Sequence, residues 1–207
     1  MTRIRRRSMI AMAGLALPGA WLAGAAAQPT AQPAAPFEIS IGKTDAPLTV
    51  VKYHSLSCGV CQRFAMEVMP RVKADYIKKG LVRFVYRDFP LDRVALVAHA
   101  LARCAGPDRA PAFIAVIYRE KEAWAHAADP LPVLESIGLV GGMSREEFAK
   151  CRADDALVNA IIQQRLDGTR LHQVDSTPTF VIGDKVHSGF LSYEEFARAV
   201  DAKLPRR

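Results

Sequence analysis

Five short runs of the chain carry strand patterns, and the stretches between them carry helical ones. Phe37-Glu-Ile-Ser-Ile41 alternates apolar and polar residues, and Gly42-Lys-Thr-Asp-Ala-Pro47 turns the chain out of it. Leu48-Thr-Val-Val-Lys-Tyr-His54 is apolar and β-rich, and Val82-Arg-Phe-Val-Tyr-Arg-Asp88 alternates around β-branched and aromatic residues. Thr179-Phe-Val-Ile182 and Lys185-Val-His-Ser188 flank Gly183-Asp184, a two-residue connection that predicts a hairpin. Between the second and third runs, Cys58-Gly-Val-Cys61 leads into Gln62-Arg-Phe-Ala-Met-Glu-Val-Met69, a helical pattern. That helix can pass Pro70 with a bend or break there, and Gly80 is its expected stop.

From Leu91 to about His172 the pattern is helical throughout. Val94, Leu96, Val97, Ala100 and Leu101 share a broad stripe, and Phe113, Ile114, Val116 and Ile117 continue the apolar content between prolines. Ser144-Arg-Glu-Glu147 is a capping box that starts a helix carrying Phe148 and Cys151. Leu157, Ile161, Ile162 and Leu166 extend the apolar spacing, and a second capping box, Ser192-Tyr-Glu-Glu195, opens a terminal helix with Phe196 and Val200 inward. A βαβ unit, a helical insertion over about residues 91–173, then a hairpin and a helix make an α/β layer arrangement.

The N-terminus changes the picture of the compartment. Arg3, Arg5, Arg6 and Arg7 precede an apolar, Ala/Gly-rich stretch from Met9 to Gly24, and Ala25-Ala26-Ala27 offers small residues for cleavage. This is the plan of a secretory signal over residues 1–27, too short in its core for a spanning helix. Arg6-Arg7-Ser8-Met9-Ile10 also resembles a twin-arginine export signal, with an ordinary Sec signal as the rival. Residues 28–36 form a Pro/Ala linker, and one domain follows over 37–207. Removing the signal takes four arginines and no acids, so the charge of +7 falls to +3. No basic run interleaved with aromatics remains, and nucleic-acid binding is not expected.

All four cysteines lie after the signal. An even count in an exported chain points to pairing. Of three possible connectivities, the two-residue spacing at a helix start favours Cys58–Cys61, which leaves Cys104 with Cys151. A four-cysteine zinc site is the rival, but it normally brings two close-spaced pairs. Cys58 at a helix start meets unpaired N–H groups and the helix dipole, both of which favour its thiolate, and Cys61 lies one turn inside. His54, in the run before the motif, is a candidate to tune Cys58 or a structural strand histidine. His99, His126, His172 and His187 show no close-spaced ligand pattern and read as structural or surface residues, and no metal or cofactor is expected. Arg87-Asp88 reads as a local charge pair at a strand end.

Over about Phe37 to Leu204 the chain resembles the DsbA-like branch of the thioredoxin superfamily. The resemblance rests on Ser57-Cys58-Gly59-Val60-Cys61, on Val85-Tyr-Arg-Asp-Phe-Pro90, on the helical insertion, and on Ser176-Thr177-Pro178-Thr179-Phe180. It implies a thioredoxin fold with the helical subdomain inserted before the C-terminal hairpin and helix. It also implies a cis Thr177–Pro178 bond facing Cys58 and Cys61, where backbone groups receive a substrate segment. Two residues depart from the family. Strong oxidants of the branch commonly carry His where this chain has Val60, which implies a less oxidising pair. Thioredoxin-like proteins often place a buried acid where this chain has Lys52. A lysine there either favours the thiolate or sends its ammonium to water.

The implied function is that of a periplasmic thiol:disulfide oxidoreductase that introduces disulfides into exported proteins. A disulfide isomerase or reductase on the same fold is the first alternative, with Thr177 and Gly59 resembling the isomerase relatives. A metal-binding chaperone or binding module using Cys58 and Cys61 as ligands is the second. The partners implied are reduced or misoxidised exported proteins and a membrane or soluble redox partner that resets the pair. No separate dimerisation domain is seen, so a monomer is expected.

Overall fold

The computed structural model describes residues 37–205. The expected signal over 1–27 and linker over 28–36 lie outside the described residues. The strands are β1 (Ile39–Ile41), β2 (Leu48–His54), β3 (Val82–Asp88), β4 (Thr179–Ile182) and β5 (Lys185–Ser188). They form one sheet in the order β1-β3-β2-β4-β5, in which only β2 and β3 run parallel. That parallel pair needs a crossover, and the helix that begins at the cysteines supplies it.

Strand parity decides what lies under that helix. Val50, Lys52 and His54 point to one face of β2, and Val51 and Tyr53 to the other. On the first face Phe64, Phe84, Phe180 and Phe196 are fully buried, with Phe64 and Phe180 ring centroids 4.7 Å apart. On the second, Tyr53 packs with Phe89, Val174 and Val181.

The crossover helix is continuous over residues 59–77 but changes winding: α1 (Gly59–Arg63), a π turn (Phe64–Val68), α2 (Met69–Val72) and a second π turn (Lys73–Ile77). The break considered at Pro70 does not occur. Proline has no N–H for the carbonyl four residues back, and the Met69 N–H bonds instead to the Phe64 carbonyl, five residues back. Gly80, at φ 71°, closes the segment.

The insertion comprises α3 (Arg93–Cys104), α4 (Ala110–Arg119), α5 (Lys121–Ala125), α6 (Leu131–Val140), α7 (Arg145–Arg152) and α8 (Asp155–His172). Both capping boxes are present, at the start of α7 and of the terminal helix α9 (Tyr193–Asp201). A disulfide joins Cys104, at the end of α3, to Cys151 on α7, with Cα atoms 6.1 Å apart. The apolar spacing in α8 does not form one buried stripe. Ile161 is buried, whereas Ile162 and Leu166 are exposed, because Ile162 lies about 100° round the helix from its neighbour.

Candidate active site

Cys58 ends the loop after β2 and is the N-cap of α1, with extended backbone angles of φ −74° and ψ 117°. Its carbonyl accepts the Gln62 N–H at 3.0 Å, and its sulfur accepts the Cys61 N–H at 3.2 Å. The loop is pinned from outside. The Ser55 hydroxyl lies 3.1 Å from that of Ser57 and accepts the Leu91 N–H, and Ser57 donates to Asp92, the N-cap of α3. Across from the sulfur lies the loop before β4, where the Thr177–Pro178 bond is cis. The Cys58 thiol donates to the Thr177 carbonyl at 3.3 Å, and the Thr177 hydroxyl is buried without another partner.

The two sulfurs differ sharply. Cys58 is half-buried, Val60 beside it is exposed, and Cys61 is fully buried. A hydrogen bond from the Cys61 thiol lowers the Cys58 pKa most. Burial opposes it, and the Thr177 hydroxyl and the N–H groups of Val60 and Cys61 bring the pKa to about 5. Burial pushes the Cys61 thiol well above its ordinary value. The arrangement is a stabilised, reachable thiolate backed by a protonated, enclosed thiol. The thiolate stabilisation comes first from the Cys61 thiol, then from the Thr177 hydroxyl and backbone N–H groups, without an imidazole at position 60.

Beneath the pair lies a buried polar layer. Lys52 is 1% exposed, so its ammonium does not reach water. Nζ lies 3.5 Å from the Cys61 carbonyl oxygen and 4.9 Å and 5.3 Å from the Phe64 and Tyr118 ring centroids. Burial lowers its pKa, and the neighbouring Cys61 and Cys58 act against that. His54 is buried, its Nδ1 2.8 Å from the Tyr118 hydroxyl, and burial drives its pKa well below the ordinary value. It is thus a neutral structural histidine one step removed from Cys61. Tyr118, which sequence reasoning missed, also donates to the Ser55 carbonyl at 3.1 Å and contacts the Cys61 thiol. Nothing in the spacing of the α4 segment links it to position 61.

Arg87 and Asp88 do not pair with each other. Strand parity sends Arg87 outward to Glu38 and Asp88 inward to Arg103 and His99. His99 is buried, donating through Nδ1 to Asp88 at 2.8 Å and accepting the Leu56 N–H at Nε2. Burial opposes the Asp88 charge, but His99 and Arg103 hold its carboxyl far below the usual range. His54, Asp88 and His99 have ligand atoms within 4.8 Å of one another, a cluster no sequence spacing revealed. Both Asp88 oxygens and both His99 nitrogens are already engaged, and the Arg103 guanidinium occupies the cluster. Its donors suit structure better than metal binding. Cys104 and Cys151, bonded to each other, are unavailable to a four-cysteine site with Cys58 and Cys61.

A family model described as thioredoxin matches residues 34–202. A Rickettsia bellii protein, provisionally named a protein-disulfide oxidoreductase, is 27% identical over 168 residues, covering 81% of this chain and 64% of that one. The chain spans 60–64% of the length of the Rickettsia relatives it matches. Disulfide bond formation protein D of Bacillus subtilis is 25% identical over 183 residues, 84% of this chain and 80% of that protein. Among solved structures, alpha-DsbA1 of Wolbachia pipientis has a TM-score of 0.75 at 23% identity, covering 81% of this chain and 90% of that one. Oxidised BdbD of Bacillus subtilis has a TM-score of 0.73 at 20% identity, covering 83% and 95%. These structures share the fold.

Proposed function

The chain belongs to the thioredoxin family, and on that premise we propose that it is a thiol:disulfide oxidoreductase acting as a net oxidase of exported proteins in the periplasm. The observation that carries this reading is the half-buried Cys58 with its pKa of about 5 beside an enclosed, protonated Cys61. A thiolate so stabilised is a good leaving group and favours the reduced form, which makes the disulfide form an oxidant. A substrate thiolate attacks Cys58 of the disulfide and releases the Cys61 sulfur, forming a mixed disulfide. A second substrate thiolate attacks the substrate sulfur of that bond and displaces Cys58 as its thiolate. The substrate leaves oxidised by two electrons, and a redox partner must take those electrons from Cys58 and Cys61. Thr177 and Pro178 receive the substrate backbone beside the sulfur, Cys58 being the nucleophile and Cys61 the resolving thiol.

The periplasmic assignment leans on the basic, apolar and small-residue segments of 1–27, with cleavage near Ala27. Among the described residues no helix is long and apolar enough to cross a membrane. The test is refolding of a reduced, multi-disulfide substrate with the oxidised protein. Disulfide formation that is lost in Cys58→Ser, with mixed disulfides trapped through Cys58 in Cys61→Ser, is the expected result. Rescue of a scrambled substrate without net oxidation replaces the oxidase by an isomerase.

A further inference from the structure

Lys52 is buried among apolar and aromatic groups, yet none of the ion pairs among the described residues includes it. Its hydrogen-bond partner is the Cys61 carbonyl, and it lies over the rings of Phe64 and Tyr118. An isolated buried ammonium is costly, and such a group normally sheds its proton unless a counter-charge stands nearby. The groups facing it are Cys58 at the N-cap of α1 and Cys61 within it, Tyr118 from α4, Tyr86 from β3, Lys73 from the second π turn, and His54 on its own strand, with Asp88 of β3 beyond His54. Burial keeps Tyr86 and Tyr118 protonated and His54 neutral, and Lys73 adds only positive charge. The buried Asp88 carboxylate is already matched by Arg103 and His99, so the Cys58 thiolate is the negative charge left for Lys52, and it exists only when the pair is reduced. A cavity of about 30 Å³, lined by Lys52, Lys73, Tyr86 and Tyr118, lies beside the amine and is large enough for one water.

Resting on the oxidoreductase reading, we propose that Lys52 is a redox-linked counter-ion, an ammonium opposite the reduced pair and a neutral amine opposite the disulfide, so that oxidising the pair expels a second proton. The reduced site holds Cys58 as thiolate, Cys61 as thiol and Lys52 as ammonium. A partner disulfide takes two electrons, its S–S bond breaks, and the Cys58–Cys61 bond forms. The two protons that convert the partner to two thiols are the one lost by Cys61 and the one lost by Lys52. Lys52 is a positioning residue in this scheme, since it acts through the field at the sulfurs.

The experiment is the equilibrium of the Cys58–Cys61 pair against glutathione across roughly pH 6–10, the span between a tuned thiolate and a free lysine. Once glutathione's own proton uptake is subtracted, each proton coupled to the pair's two-electron step changes its constant tenfold per pH unit, about 30 mV. Wild type should show a pH window with two protons per two electrons, while Lys52→Met shows one throughout that window. Lys52→Arg should also show one, while keeping the Cys58 thiolate stabilised, because a guanidinium does not deprotonate. A Lys52→Met variant with the wild-type slope overturns the proposal, since a merely structural lysine would shift stability and leave the slope alone. If the variants do not fold, the side-chain NMR titration of Lys52 in wild type decides, with a higher midpoint expected in the reduced protein. Equal midpoints in the two redox forms overturn it. No exchange with glutathione at any pH sinks the oxidoreductase reading itself, a distinct outcome.

Discussion

The titration of Cys58 is the most exposed quantity in the proposed mechanism. The folded thiol titrates at about 5 against an ordinary value of 9.0. At pH 7 the thiolate is therefore about a hundredfold in excess, and about two of the four units separating those values are in force. At 1.36 kcal/mol per unit that is about 2.7 kcal/mol, which solvent screening of a half-exposed sulfur reduces by roughly half. About 1–1.5 kcal/mol then favours the reduced form, equivalent to roughly 30 mV toward a more oxidising pair. Because the pKa is depressed, this stabilisation is fully present above the free-thiol pKa and is lost as the pH falls through about 5. The perturbation is Cys61→Ala, which removes the thiol donor that contributes most. A hydrogen bond to a charged group is worth about 1.5–3 kcal/mol, so the midpoint should rise by about one to two units. The assay is the pH dependence of iodoacetamide alkylation in the reduced protein, with the labelled peptide identified. A wild-type midpoint at or above 7, a midpoint unmoved by Cys61→Ala, or labelling of Cys61 ahead of Cys58 refutes the reasoning.

Three further outcomes follow from the surrounding structure. Replacing both Cys104 and Cys151 by Ser opens a loop of 47 residues, and denaturant unfolding should show a loss of about 4 kcal/mol, with the Cys58 midpoint unchanged. Asp88→Asn leaves the Arg103 guanidinium buried without its carboxylate and should cost about 3–5 kcal/mol in the same assay. In wild type the depressed Asp88 pKa gives stability that is present above the ordinary carboxylate range and lost only as the pH falls far below it. Gly168→Ala places a Cβ 2.6 Å from the Tyr53 ring, which is held by Phe89 and His172. The overpacking, about 1–3 kcal/mol, should exceed the helix-propensity gain of about 1 kcal/mol, and a lower melting temperature checks it.

Much of this protein is local, and local patterns were readable along the chain. β2, β3, β4 and β5 begin and end where alternation and turn residues place them, because a strand's period and a glycine turn are properties of neighbouring residues. The two capping boxes are likewise four-residue chemistry. The N-cap position of Cys58 also follows from its immediate sequence, and the thiolate preference follows with it. The pairing of Cys104 with Cys151 came from counting cysteines, and the folded chain brings them together on α3 and α7.

Other features needed residues distant in the chain to meet. Lys52 sits on the same strand face as Val50 and His54, so parity alone directs it inward. Only the packing of Phe64 and Tyr118 over it closes off water, one of the two destinations the sequence left open for its ammonium. Arg87 and Asp88 are sequence neighbours that strand geometry sends to opposite faces, one to Glu38 and the other to Arg103 and His99. Tyr118 reaches Cys61 across 57 positions, through the packing of α4 against α1 that the bond from Gln62 to the Tyr118 carbonyl helps fix. The reactive motif is legible because its chemistry is made by a single turn of helix. The protonation of the buried groups around it is set by burial and by partners from other elements, and those exist only once the chain has folded.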